Sequence, residues 1–176
     1  MFLRMDGLYR VFGFAAVSFA ATCLAAMTLG VRLNTSYSLP MGLYIETTAS
    51  SAPFVEFCPE GRFSNESASR GYRTRGIACR DGAVPLLKPI VARQGDRVET
   101  SAAGILVNGV LLAKTAPLFN DAESRPLSPW PFGLYMVEPG TIWVASTYNR
   151  GSYDSRYMGP IATSQIRRKL RALWTF

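Results

Sequence analysis

The sequence predicts a mainly β, antiparallel domain with a single transmembrane helix in front of it. From Val11 to Val31 no residue is charged. At 1.5 Å per residue such a run, about 21 residues long, covers roughly 30 Å, the thickness of a bilayer's hydrocarbon core. Beyond it, short apolar runs are separated by turn residues. Asn108-Gly109 lies between Gly104–Val107 and Val110–Leu112 as a two-residue hairpin signal, and Gly133–Val137, Pro139-Gly140 and Thr141–Ala145 read as strand, turn and strand. After the anchor only a short stretch, Ser164–Leu173, has a helical pattern.

Three segments follow from this: a cytoplasmic head over 1–10, the anchor over 11–31, and one exported domain over 32–176 without repeats. Arg4 and Arg10 outweigh Asp6 in the head, which fits the positive-inside tendency and puts the domain on the outer face. The competing reading of the first segment is a cleaved secretory signal. Its apolar part is long for that purpose, and a cut near Ala26 would need a small residue where Leu24 stands. A composition 48% hydrophobic and 12% aromatic excludes disorder. The net charge is +7, and 16 of the 19 basic residues are arginine. Arginine-rich surfaces suit phosphates; with an apolar run alongside, anionic lipid is the expected partner and nucleic acid is not. Histidine is absent, so a Ser-His-Asp triad and a His-ligated metal are excluded, and no metal or other cofactor is expected.

The stretch from Asn34 to Tyr44, directly after the anchor, carries Ser36, Ser38, Pro40 and Gly42. In an extended segment the two hydroxyls share a face, so one can attack while the other donates a hydrogen bond. Pro40 and Gly42 fix the turn behind them. Taken alone, this composition is also that of an ordinary turn. Without histidine, a nucleophilic serine needs another base. Lys88 sits inside the apolar run Ala83–Ala92, where burial can lower an amine by up to about 3–5 units from about 10.4 and make it a base near neutral pH. Otherwise Lys88 is an edge lysine whose stem covers apolar surface. Lys169 lies among Arg167, Arg168 and Arg171, and Lys114 follows the hairpin, so neither competes well.

Cys58 and Cys79 flank a polar stretch, Gly61–Gly76, and fit no metal motif. In an oxidising compartment a disulfide between them would close a loop of about 20 residues, worth roughly 3 kcal/mol; otherwise they are free thiols. Ser146–Gly159 is dense in small polar groups. Within it Asp154 and Arg156 can pair and pin the loop, and Ser152 can bond another polar group.

Three of these stretches, in order, resemble the membrane-bound type I signal peptidases, which are Ser/Lys peptidases, and among them the TraF-type branch that processes pilin precursors in conjugative transfer. Asn34-x-Ser36-x-Ser38-x-Pro40-x-Gly42-Leu-Tyr44 is similar to that branch's nucleophile box, with Pro40 one residue earlier than in general signal peptidases. Lys88 precedes Gly95-Asp96 at the family's interval. Asn149-Arg150 followed by Ser152-Tyr-Asp-Ser-Arg156 resembles the third box, although the usual Gly-Asp opening is missing and the box is one residue shorter. The likeness covers most of the chain, weakly over 47–83 and 115–134.

The resemblance implies a signal-peptidase-like β domain on the outer face of a bacterial inner membrane. It implies Ser38 as nucleophile and Lys88 as base, an oxyanion held by Ser38 N–H and the Ser36 hydroxyl, Ser152 orienting the lysine, and Asp154–Arg156 as a structural pair. The expected partners are a membrane-embedded precursor, a pilin in the first instance, the bilayer, and other proteins of the transfer apparatus. Some members of the branch cyclise their product. A general leader peptidase and a non-catalytic scaffold of a secretion or conjugation apparatus are the alternatives. A self-cleaving Ser/Lys repressor would need a DNA-binding head where the apolar run stands.

Overall fold

The computed structural model describes residues 5–176, and the side chains of residues 5–8, 23, 24, 26 and 27 lie outside that description. Helix α1 (Met5–Thr28) leads into β1 (Val31–Asn34), β2 (Gly42–Glu46), β3 (Phe54–Phe57), α2 (Gly61–Ser69) and β4 (Leu86–Ala92). Then come β5 (Arg97–Ser101), β6 (Gly104–Val107), β7 (Val110–Leu111), β8 (Gly133–Met136), β9 (Thr141–Val144), α3 (Ser155–Met158), β10 (Ile161–Ala162) and β11 (Ile166–Thr175). The strands form a seven-stranded sheet, β1-β2-β11-β3-β4-β9-β10, and a four-stranded sheet, β7-β6-β5-β8, with every pairing antiparallel. The chain is therefore mainly β, as its alternating short runs predict.

Strand β9 joins the two halves through its alternation. Ile142 and Val144 pack with Val55, Phe57, Leu86, Tyr153 and Tyr157, while Trp143 points the other way into a core with Ala92, Val98, Ile105 and Val137. The hairpin at Asn108-Gly109 has the predicted form: both residues have positive φ, 51° and 84°, as a primed two-residue turn requires.

Several expectations are corrected. Among the described residues no helix is long and apolar enough to cross a membrane, where a spanning anchor was expected over 11–31. Its far boundary also moves: α1 stops at Thr28, Gly30 takes φ 76°, and Val31 pairs with Ile45 in β1. The head over 1–10 lies partly outside the described residues. Ser164–Leu173 is no helix: after a 3-10 turn at Thr163–Gln165 it becomes β11, whose pairing with both β2 and β3 outweighs local helical preference. Gly133–Met136 and Thr141–Val144 are strands but not a hairpin, because β8 pairs with β5 and β9 with β4 and β10. The polar stretch after Cys58 contains the unpredicted helix α2, and Cys58 and Cys79 are bridged across it.

Candidate active site

Two of the three motif-bearing stretches reach the site through the seven-stranded sheet. Leu86 and Lys88 lie on one face of β4, in register with Phe57 and Val55 of β3, and all four are buried. The lysine is thus in line with core residues, and its side chain has to end among polar atoms or remain unsolvated. It ends between two hydroxyls: Nζ donates to Ser38 Oγ at 2.6 Å and to Ser152 Oγ at 2.7 Å. Ser152 Oγ lies 3.3 Å from Ser38 Oγ, closing a triangle. Burial lowers the amine from 10.5 to about 8, with the nearby Asp154 carboxylate acting against the shift and Arg156 adding to it.

Ser38 is not on an extended segment. Residues 35–41 form the loop of the β1–β2 hairpin, and Ser36 and Ser38 lie in its turn. The buried Asn34 organises this loop from inside. Its Nδ2 donates to the carbonyls of Ser36 and Pro40 at 3.1 Å each, and its Oδ1 accepts from Ser36 N at 3.1 Å and Ser36 Oγ at 2.8 Å. Ser36 is therefore exposed and bonded to Asn34, outside the Ser38–Lys88–Ser152 triangle. The residue behind the turn must be glycine: Gly42 has φ 144°, and a Cβ there would stand 2.2 Å from the Trp174 carbonyl oxygen. The asparagine was visible in the motif, but its work was not, since its partners are backbone carbonyls gathered only by the turn.

Only the first part of the third stretch is a surface loop: Thr147, Tyr148, Arg150 and Gly151 are exposed. Residues 152–159 are buried, and α3 is capped by Asp154, whose side chain accepts from Arg156 N. Arg156 grips that carboxylate with Nε at 2.8 Å and Nη2 at 2.7 Å and reaches the carbonyls of Arg150 and Lys114 with Nη1. Burial alone would raise the Asp154 carboxyl, but the Arg156 hydrogen bonds hold it below the ordinary carboxylate range. Asp154 Oδ2 also accepts from Ser146 N. The other half of the lysine motif is architectural: Asp96 caps the β4–β5 turn by accepting from Arg93 N and also from Asn108 Nδ2.

A cavity of about 400 Å³ opens beside the triangle, lined by Ser38, Lys88 and Ser152 and by apolar Leu86, Leu118 and Leu127. At that volume it has room for a stretch of peptide. Its wall includes a free backbone edge. Leu86–Lys88 pair with β3, but β4 meets β9 only from Ile90, and Ala145 N donates to Pro89 O before the chain turns toward Asp154. Among the described residues the β9-side edge of 86–88 has no strand partner. The arrangement offers a hydroxyl nucleophile, an amine whose proton affinity is near neutral, and an edge for an extended chain. Among the described residues no cluster could hold a metal ion.

Comparison with known proteins assigns the chain to a family. The family model described as signal peptidase, peptidase S26, matches residues 15–175. Two proteins of Escherichia coli, each called plasmid transfer protein TraF, are 35% identical over 93% of this chain and 92% of their own, and 33% identical over 99% and 98%. The conjugal transfer protein TraF of Agrobacterium fabrum is 31% identical over 95% of both chains. A signal peptidase I structure from Enterococcus faecalis is similar at TM-score 0.38 and 16% identity over 72% of this chain and 99% of that one, a likeness too slight to argue from. With a match over nearly the whole length and a serine, a lysine and a second serine meeting beside an open strand edge, the chain belongs to the signal peptidase family, peptidase S26.

Proposed function

We propose that this protein is a membrane-anchored Ser/Lys endopeptidase that processes an exported precursor, the pilin subunit of a conjugative transfer system. The observation that carries the reading is the 2.6 Å approach of a buried lysine, lowered to about 8, to the Ser38 hydroxyl. With Lys88 neutral, Ser38 O–H donates its proton to Nζ as Oγ attacks the scissile carbonyl, and the resulting ammonium then protonates the leaving amine. Ser152 Oγ holds the lysine head throughout. The oxyanion is bound by Ser38 N–H and the Ser36 hydroxyl. In the free enzyme the Ser36 hydrogen is engaged by Asn34 Oδ1, so it turns away when substrate enters. Removing such a donor costs about 10²–10³ in rate. The substrate adds as a strand to the edge of 86–88. The acyl group then passes to water or, in a cyclising reaction, to an amine of the same chain.

Conjugation as the setting is supported by the relatives' names as plasmid and conjugal transfer proteins. The anchor over 11–31, with 1–10 on the cytoplasmic side and 32–176 on the periplasmic face, is supported by exposed apolar side chains along α1, including Val11, Phe12, Phe14, Val17 and Phe19. Near its end Leu33, Leu43 and Trp174 are neighbours across β1, β2 and β11, and Leu33 and Trp174 are exposed. Such a row belongs at the lipid interface, close to the Ser38 loop. Anchoring enzyme and precursor at one face raises their effective concentration.

The test is the intact mass of a candidate pilin precursor co-expressed in membranes with the wild-type chain, Ser38→Ala or Lys88→Ala. Shortening only with the wild type is the expected result, and a product lighter by one water than the linear fragment identifies cyclisation. An unchanged precursor in all three, with each variant folded and membrane-bound, removes the pilin reading.

A further inference from the structure

We infer that Ser146 is a positioning residue that fixes the nucleophile's backbone against the loop carrying Ser152. This rests on the Ser/Lys reading of the site. Ser146 is fully buried and lies just past β9. Its Oγ donates to the carbonyl oxygen of Ser38 at 2.6 Å.

The direction of that bond is dictated by its surroundings. A serine hydroxyl has one proton and two acceptor positions. Both acceptor positions are taken by backbone N–H groups, Tyr148 N at 3.1 Å and Asn149 N at 2.9 Å, which leaves the proton for Ser38. The serine itself is immobilised, because its own N–H donates to Asp154 Oδ2 at 3.0 Å and that carboxylate is gripped by Arg156. Asn34 ties the Ser38 loop only to its own hairpin, through the carbonyls of Ser36, Leu39 and Pro40. The Ser146 bond ties the nucleophile's own carbonyl to the neighbouring element. It fixes the rotation of the Ser38 backbone, and with it the direction in which Oγ leaves toward Lys88.

The arrangement also gives the buried Asp154–Arg156 pair a route to the chemistry that does not pass through Lys88. The pair orients Ser146, and Ser146 orients Ser38. A displacement of about 1 Å at a reacting atom can cost on the order of 10²-fold in rate. The loss belongs in kcat, because the binding edge at 86–88 is untouched.

The experiment measures kcat and KM on an internally quenched peptide spanning a pilin-precursor junction, with the full-length chain in detergent. The chains compared are wild type, Ser38→Ala, Ser146→Ala, Ser146→Cys and the core control Ile142→Val. Ser146→Ala is expected to lose roughly 10- to 100-fold in kcat with KM within about twofold. Ser146→Cys fills the same space with a poor donor, keeps the fold if the smaller variant does not, and falls in kcat likewise. Ile142→Val lowers the melting temperature but keeps kcat, which separates positioning from general destabilisation. A folded Ser146→Ala or Ser146→Cys with kcat within twofold of wild type overturns the proposal, as does a loss confined to KM or one matched by Ile142→Val. Cleavage that survives Ser38→Ala overturns the peptidase reading, and this proposal with it.

Discussion

Ser38 lies on an open hairpin loop, 35–41, whose shape is held by side-chain to backbone hydrogen bonds, whereas Lys88 lies in the middle of a paired strand with its side chain inside the core. The difference follows from what each group must do. In the proposed mechanism the nucleophile has to meet an incoming peptide, so it is partly exposed and its precision comes from local hydrogen bonds. The lysine must be kept from water for its proton affinity to fall, so its precision comes from the sheet. Changes on the two sides should therefore separate activity from stability in opposite ways.

The largest expected effect tests that separation directly. Ser38→Ala and Lys88→Met should each abolish turnover, with no product in the intact-mass assay. Their stabilities should diverge. Ser38→Ala should be near neutral, whereas Lys88→Met, which replaces a desolvated amine by a core-compatible side chain, should raise the melting temperature at pH 7, by about 1–3 kcal/mol of stability. A Lys88→Met chain less stable than wild type at pH 7 would mean that the lysine is not held under strain.

Next in size is the buried pair. Asp154→Asn or Arg156→Met leaves one charge without its partner in a site where both side chains are at most 1% exposed, and should cost about 3–5 kcal/mol in thermal or denaturant unfolding. Equal stability to wild type would show that the third stretch does not depend on the pair. On the nucleophile side, Asn34→Ala should cost only about 1–3 kcal/mol, since it frees loop carbonyls that water can reach. It should nevertheless lower kcat by about tenfold or more, because Ser38 loses its frame. Activity retained in that variant would mean the loop holds its shape without the asparagine.

The smallest effect is in pH. The proposed mechanism needs neutral Lys88, so kcat/KM should rise tenfold per unit below about 8 and level off above it. Stability has the same sign. The folded amine sits at about 8 and the unfolded one at 10.5, so between these values the unfolded chain binds more protons and stability rises with pH. The burden of Lys88 on the fold is present in full below about pH 8 and gone above about 10.5. In Lys88→Met the stability slope should vanish.

The site was legible in the sequence to an unequal degree, for physical reasons. Ser38, Lys88 and Ser152 could be picked out because each belongs to a short motif, and the absence of histidine narrowed the base to lysine. The distances among them could not be read, because they span residues 50 to 114 positions apart. Asn34 and Ser146 carried no separate signal, since both bind backbone carbonyls that only the folded turns bring near. Ser36 was expected to share a face with Ser38 on an extended segment and instead bonds Asn34 in a turn.

By itself the sequence determined what depends on neighbouring residues: the alternating runs of a β domain, the Asn108-Gly109 turn, the glycine at 42, and which serine and lysine are the candidates for the proposed chemistry. The tertiary structure decided what depends on partners far along the chain. It drew Ile166–Thr175 into a strand between β2 and β3, placed β8 and β9 in different sheets, and turned Ser152–Gly159 inward around a buried ion pair. Burial was decided there too. Lys88 sits in an apolar run in any conformation, but only the packing of β3, β4 and the Ser152 loop removes water from its amine and brings it to Ser38.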